Sequence, residues 1–480
     1  MKFIFLVCLM GIFCTLSAQT TPWVDTLYGH YDTLDVYYGT SRDFAGNMKD
    51  LEMDISVPVG DTPPASGRPL MVLVHGGAWI SGDKAGGFMP RMREEFSQRG
   101  YLVASVNYRL GLINTNSDIN CNISYFGIPW NCLQMQDTTE WIRANYRAQQ
   151  DVRGAIRYLV AHKTDYNIDP GNVFVVGESA GGFIAMSVGY LDHPSEVPPG
   201  VGALPDALPP NNRYTPCIQQ FSTTIAAMDL SRPDLGPPEG DLNLISEGYC
   251  IRGVGSIYGG RIYSLFDSTS YDVEPALYMY HQPADKIVSI NRQKLLSGYS
   301  GCAYGVCQQG IFHTPFSSGG LAIRSELDTL QVYGYQVPDY MDDFTTNNWN
   351  CFDQTFGGQN GHSLDSYWLR TTNMAAFFAP YMNYGGCDGL VDVVPAQSEW
   401  LRVYPVPASS AFRVELSSGR EISGVEVYNS VGKRVWRTDD PAPDGKVNVT
   451  LPLDWTKGYY IVRVVTGKGE SQFRKILVTN

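Results

Sequence analysis

Charge is scarce in this chain of 480 residues: Asp, Glu, Lys and Arg make up 17% and leave a formal net charge of −13. The basic residues are few and nowhere clustered, which excludes general nucleic-acid binding, because affinity for phosphate rests on grouped Lys and Arg. Beyond the N-terminal leader no segment reaches the ~18 uninterrupted apolar residues of a spanning helix, so no integral membrane segment is expected in the mature chain. His30, His162 and His193 stand in no ligand-like spacing to one another or to cysteine. No cysteine pair has the two-residue gap of a zinc site. The acidic stretch Asp339, Asp342 and Asp343 has ligands suited to calcium, but a solvated acidic loop is the commoner case and the reading preferred. No metal and no cofactor is expected.

What the chain has in quantity is apolar and aromatic material, 44% hydrophobic with 30 Tyr and 9 Trp, enough for a large packed core. Its length exceeds one ordinary domain. Residues 1–18, MKFIFLVCLMGIFCTLSA, place one Lys before an apolar run and end on Leu-Ser-Ala, a secretory signal cut before Gln19. The bulky Phe13 before Cys14 argues against a lipid anchor. Eight cysteines remain (Cys121, Cys132, Cys217, Cys250, Cys302, Cys307, Cys351, Cys387), an even number that suggests disulfides in an exported protein, neighbour with neighbour in the simplest pairing.

Residues 49–58 alternate like a half-buried strand, whereas 69–75 and 101–108 are continuous β-branched runs, as in strands buried on both faces. Between and after them, 89–99 and 137–164 have helical spacing, with Val152, Ala155, Ile156 and Leu159 recurring at three and four. The series continues through 173–176, 253–258 and 276–280, a strand-helix rhythm that implies an α/β, doubly wound, mostly parallel sheet. Two long stretches, 112–136 and 192–250, interrupt it and are read as ordered insertions near the active-site face, with irregular surface decoration as the alternative. From Trp400 onward cysteine and histidine are absent, and short alternating strands are punctuated by turn signals. This tail holds 12 Lys plus Arg against 8 Asp plus Glu, the reverse of the chain's balance, and reads as a separate C-terminal all-β sandwich.

Two motifs carry chemistry. Gly177-Glu178-Ser179-Ala180-Gly181 follows the apolar strand 173–176 and precedes a helix-like run. Glycines two positions either side of a serine permit a strained strand-to-helix turn that lifts the hydroxyl toward substrate, and the Ala180 amide at the helix start is free to bind developing negative charge. His75-Gly76-Gly77-Ala78-Trp79 follows the run 69–74 directly, at a strand's carboxyl end. There the amides of Gly76 and Gly77 can approach a tetrahedral oxygen closely, His75 is read as structural, and Trp79 is left between core packer and pocket wall.

Together these motifs resemble the α/β-hydrolase fold over roughly 45–385, in its carboxylesterase and feruloyl-esterase-like branch, with Gly82-Asp83-Lys84 after the His-Gly-Gly-x-Trp loop. The resemblance implies the order serine, acid, histidine. His281-Gln282-Pro283-Ala284-Asp285 resembles the family's His-Gly-x-x-Asp, with Gln282 in the glycine's place, and makes Asp285 the acid ahead of Asp272 and Glu274. For the base, His362 in its glycine-rich loop is preferred over His313. The catalytic set is thus Ser179, Asp285 and His362, with Gly76, Gly77 and Ala180 as the oxyanion hole.

The tail resembles the sorting domain of the type IX secretion system, beginning at Val403-Tyr404-Pro405 and continuing through Tyr428–Lys433 and Lys457–Val464; a carbohydrate-binding or adhesion sandwich is its alternative. The expected organisation is a signal at 1–18, a hydrolase domain at 19–395 and a sorting domain at 400–480. The resemblances imply a secreted or surface serine esterase acting through an acyl-enzyme, with an ester substrate and the type IX machinery as partners. A prolyl-oligopeptidase-like peptidase and a non-catalytic binding protein are the rivals.

Overall fold

The structure, a computed structural model, describes residues 21–113, 137–191, 196–207, 229–266, 275–300, 314–347, 361–382 and most of 401–478, with short breaks at 246–247, 334 and 336 and two small strands at 124–125 and 128–129. It divides into two units, Met1–Asp388 and Gly389–Asn480. The expected signal at 1–18, His313, Asp272, Glu274, much of both insertions and the junction near 395–400 lie outside the described residues.

In the first unit eight strands form one sheet: β1 (Gly29–Arg42), β2 (Met48–Val59), β3 (Arg68–Val74), β4 (Leu102–Val106), β5 (Ile168–Glu178), β6 (Ile251–Ile257), β7 (Ala276–His281) and β8 (Tyr340–Phe344). Their spatial order is β1-β2-β4-β3-β5-β6-β7-β8. Only the β1–β2 and β2–β4 pairings are antiparallel. Among the described residues the helices longer than one turn that flank it are α1 (Met89–Gln98), α2 (Thr138–Ala161), α3 (Ala180–Tyr190), α4 (Gly320–Val332) and α5 (Tyr367–Phe378).

The period of two along a strand explains the continuous apolar runs. Leu70, Val72 and Val74 belong to one core with Ile156 of α2, Ile184 of α3 and Ile323 of α4. Their neighbours Met71 and Leu73 belong to a second core with Met92 and Phe96 of α1 and Met374 and Phe378 of α5. A strand with helices on both faces has no position left for a polar residue. This is an α/β-hydrolase-type sheet, with strand β1, strand β8 and helix α4 in addition to the elements read from the sequence.

Helix α2 has a second buried face that is polar. Arg143 donates to the carbonyl of Gly200 at 2.9 Å, Gln149 to that of Pro238 at 2.8 Å and Arg157 to that of Leu242 at 2.9 Å, while Glu239 pairs with Arg153 and Arg157. Proline supplies no N–H, so a proline-rich segment leaves carbonyls that must be satisfied from outside, and guanidinium and carboxamide groups do so here. The described parts of the 192–250 insertion are therefore ordered, and they lie along α2. The acidic stretch corrects an expectation. Asp342 and Asp343 lie within β8; Asp343 is buried and accepts from the Tyr278 hydroxyl at 2.6 Å and from Asn373 at 2.9 Å, and Asp342 pairs with Arg324. Cys250, the one cysteine among the described residues, is disulfide-bonded.

The second unit is all antiparallel strand. β9 (Leu401–Tyr404), β10 (Ala411–Leu416) and β13 (Lys446–Thr450) form one sheet; β11 (Ile422–Asn429), β12 (Arg434–Thr438), β14 (Gly458–Thr466) and β15 (Ser471–Val478) form the other. Alternate residues of both sheets, Phe412 and Val414 from one and Val425, Val427 and Val462 from the other, share a single core, so the sheets face each other as a sandwich. Trp455 closes it, stacked on Tyr460 at 4.6 Å. Among the described residues of the whole chain no helix is long and apolar enough to cross a membrane.

Candidate active site

Ser179 lies between the end of β5 and the start of α3 with φ 51° and ψ −122°, a backbone conformation that side chains rarely adopt. The turn is tight because its glycines touch backbone. A Cβ on Gly177 would sit 2.0 Å from the Gly181 carbonyl oxygen, and one on Gly181 would sit 2.1 Å from that of Val74. The Ser179 amide is tied to the Ile257 carbonyl of β6 at 2.9 Å.

Asp285 follows β7 across a short loop. Its buried carboxylate accepts from the amides of Ile287 at 2.8 Å and Val288 at 3.0 Å through Oδ1, and from His362 Nδ1 at 2.7 Å through Oδ2. The Nε2 of His281 lies 3.4 Å from the same Oδ2. Burial pushes the Asp285 carboxyl upward, but His362 and His281 outweigh it and hold it below the ordinary carboxylate range. His362 reaches Asp285 because Gly361, with φ 71°, passes so close to Ala284 that a Cβ would lie 2.4 Å from its carbonyl carbon. Gln282 reinforces this, donating to the Ser363 carbonyl at 2.6 Å; the residue in the family's glycine position thus ties the acid loop to the histidine loop. With Nδ1–H given to Asp285, Nε2 of His362 accepts from the Ser179 hydroxyl at 2.8 Å. The structure brings Ser179, Asp285 and His362 into one hydrogen-bonded chain.

The loop after β3 forms the facing wall. A Cβ on Gly76 would lie 3.0 Å from that of Ser179, so the loop backbone passes directly over the serine. His75 is buried, and burial lowers its pKa to about 4, so it is neutral; its Nδ1 donates to the Gly76 carbonyl at 2.7 Å and its ring stacks on Tyr108 at 4.4 Å. Trp79 belongs to the core, edge-on to Trp141 and Phe183, with its Nε1 donating to Asn145 at 3.1 Å. Lys84 anchors the far end through Asp35 and Asp54. Among the described residues the amides of Gly77 and Ala180 meet no protein acceptor, whereas the Gly76 amide points to Glu178 Oε1 at 3.5 Å. Of the three amides expected to form an oxyanion hole, those of Gly77 and Ala180 are thus open and that of Gly76 lies toward Glu178.

Glu178 and Tyr258 were not picked out as site residues from the sequence. The Tyr258 hydroxyl donates to Glu178 Oε2, and its ring lies 4.6 Å from that of His362. Glu178 was legible as the nucleophile's neighbour; nothing in the sequence signals that Tyr258, 80 residues on, reaches it. His30, Asp32 and Glu94 also converge, with ligand-type atoms within 4.8 Å of one another, but the Asp32 carboxylate already accepts from Ser56 and Arg93.

A strained serine elbow at the carboxyl edge of a mostly parallel sheet, its hydroxyl bonded to a histidine that an aspartate orients, defines the α/β-hydrolase class. Residues 53–127 and 141–215 match the BD-FAE family model, and residues 402–479 match that of the secretion system C-terminal sorting domain, which addresses the chain to the cell surface or the extracellular space. Over 140 residues the chain is 26% identical to a probable isoprenylcysteine alpha-carbonyl methylesterase of Arabidopsis thaliana, a match covering 29% of this chain and 22% of that protein. Among solved structures, a truncated carbohydrate esterase from gut microbiota is 15% identical, with 74% of this chain and 98% of that one covered at a TM-score of 0.37. The apo form of Thermogutta terrifontis esterase 2 is 15% identical over 72% and 92%, at 0.35. Likeness at these scores speaks to neither activity nor substrate.

Proposed function

We propose that the chain is an exported serine hydrolase of carboxylic esters, with a catalytic domain running to about residue 395 and a sorting domain from about 400. The observation that carries this reading is the chain of hydrogen bonds from Asp285 through His362 to Ser179, 2.7 and 2.8 Å long, beneath a glycine loop with an open amide. His362 Nε2 takes the proton of Ser179 as Oγ attacks the ester carbonyl. The tetrahedral oxygen is bound by the amides of Gly77 and Ala180, each such donor being worth ~100- to 1000-fold in turnover. Collapse expels the alcohol, which carries off the proton held on His362. Water then adds to the acyl-enzyme, giving its proton to His362, and the acid leaves as Ser179 is restored. Side chains and water balance every step.

The BD-FAE match favours feruloyl or acetyl esters of polysaccharide as substrates, which an exported enzyme would meet outside the cell. The type IX machinery is the partner proposed for the tail. The test is a panel of nitrophenyl acyl esters, feruloyl methyl ester and acetylated xylan, run beside matched amides. Ester turnover abolished by Ser179→Ala is the expected result; amide turnover exceeding ester turnover would make the chain a peptidase, and no turnover of either would make it a binding protein.

A further inference from the structure

Tyr258 occupies an unfavourable position. It follows β6 with φ 38°, in the left-handed region, although Gly259 and Gly260 stand immediately after it and a glycine would adopt that backbone freely. Strained non-glycine residues persist where the surroundings need the side chain. Its amide donates to the Tyr280 carbonyl at 2.7 Å, its hydroxyl donates to Glu178 Oε2, and its ring lies 4.6 Å from the imidazole of His362 at an interplanar angle of 57°. The other oxygen of Glu178 faces the Gly76 amide at 3.5 Å. One carboxylate beside the nucleophile therefore touches the loop over Ser179 and, through a phenol, the wall of the base.

We propose that Glu178 and Tyr258 are positioning residues that act together on His362, fixing its ring and favouring its imidazolium form in parallel with Asp285. This rests on the reading of Ser179, His362 and Asp285 as the catalytic set. Among the described residues His362 faces Asp285 with His281 behind it, Ser179, and Tyr258 with Glu178 and Tyr280 behind it. When Ser179 gives up its proton, the imidazolium lies against a tyrosine ring whose hydroxyl hydrogen is drawn toward a carboxylate. That donation enriches the ring in electrons and strengthens its attraction for a cation. Burial, followed by the Glu178 charge, holds the phenol well above its ordinary pKa, so it remains a donor throughout the working range.

Full-length Glu178→Gln, Glu178→Asp, Tyr258→Phe, the Glu178→Gln/Tyr258→Phe double variant and Ser179→Ala are compared on a nitrophenyl acetate ester between about pH 5 and 9, with thermal melts as a check of folding. Glu178→Gln and Tyr258→Phe are expected to lower kcat by ~10- to 100-fold with KM little changed, and the double variant to be no worse than Glu178→Gln alone, because the pair acts as one device. Removing the carboxylate destabilises the imidazolium, so the acidic limb of kcat/KM should move to lower pH by about half a unit or more in Glu178→Gln and return in Glu178→Asp. An unmoved limb, or losses that simply add, would reduce both residues to scaffolding and overturn the proposal. Ser179→Ala separates the two failures: full turnover there sinks the reading of the site itself, whereas a dead Ser179→Ala beside a normal Glu178→Gln sinks only the relay.

Discussion

The two units treat backbone strain and buried charge in opposite ways. Every non-glycine residue with a left-handed φ among the described residues falls in the first unit, and four of them, Ala78, Trp79, Ser179 and Tyr258, belong to the loop, the nucleophile and the wall of the site. In the second unit the one described left-handed residue is Gly445, in a turn. Buried charge follows the same division. Asp54, Arg93, Glu95, Asp151 and Asp285 are enclosed in the first unit, while Glu426 is the one buried charged residue described in the second. A sandwich of alternating strands satisfies every local rule at once; a site that must hold a serine, a base and an open amide in fixed relation departs from them, and the departures gather where the chemistry is proposed.

The sharpest way to break this comparison is to remove the group that the strain serves. Ser179→Ala should abolish ester turnover, by up to ~10⁶-fold if the three residues act as a unit, and His362→Ala should fall nearly as far. Asp285→Asn should cost ~10⁴-fold by leaving the imidazole in the wrong tautomer. Circular dichroism should show each variant folded, because none of the substitutions adds volume. Substantial turnover by His362→Ala would move the base elsewhere, and His313 is then the residue to substitute next.

Damage to the second unit should leave chemistry alone. Phe412 is central to its core, and Phe412→Ala should cost the sandwich about 3–5 kcal/mol. Turnover of soluble esters should stay within about twofold, while delivery to the outside of the native host falls, as it should also on truncation before Trp400. Loss of soluble-ester turnover in Phe412→Ala would show that the units are not separable in function. If only activity on insoluble polymer fell, with delivery intact, the sandwich would be a substrate-binding module.

What could be read in advance followed the same line. The elbow and the glycine loop were legible because each is a local pattern set directly after a buried strand, and resemblance to the family's acid and histidine loops then pointed to Asp285 and His362. The two-sided burial of β3 was legible in an uninterrupted apolar run. Strand β8 was not, because Asp342 and Asp343 look solvated until Arg324, Arg370 and Tyr278 are brought to them. Nor was the polar burial of α2, because the carbonyls that Arg143, Gln149 and Arg157 satisfy lie 57 to 89 residues away. The link from Tyr258 to Glu178 has the same origin, since a contact between two strand ends is a property of the sheet and leaves no trace in either segment.

The smallest expected effect concerns acid. Each unit holds a carboxyl whose pKa is lowered on folding: Asp285, where burial is outweighed by His362 and His281, and Glu426, where burial is outweighed by Tyr428, Arg434 and Arg463. A group depressed in the folded state contributes stability that is present above its unfolded value, about 3.9 for Asp and about 4.3 for Glu, and is lost as pH falls through the folded value. Both contributions should therefore fade below about pH 4. The Asp285 side chain is fully enclosed, whereas that of Glu426 keeps 11% exposure and its arginine partners are 37–47% exposed, so water and salt screen the second cluster more. Thermal melts from about pH 6 down to pH 3 should show Asp285→Asn losing stability less steeply than the wild type. Glu426→Gln should show the same flattening in weaker form, and 0.5 M salt should reduce its effect further. Equal slopes for wild type and Asp285→Asn would mean that the carboxylate gains nothing from its histidines on folding, and a larger effect at Glu426 would place the stronger electrostatic organisation in the unit that lacks strain.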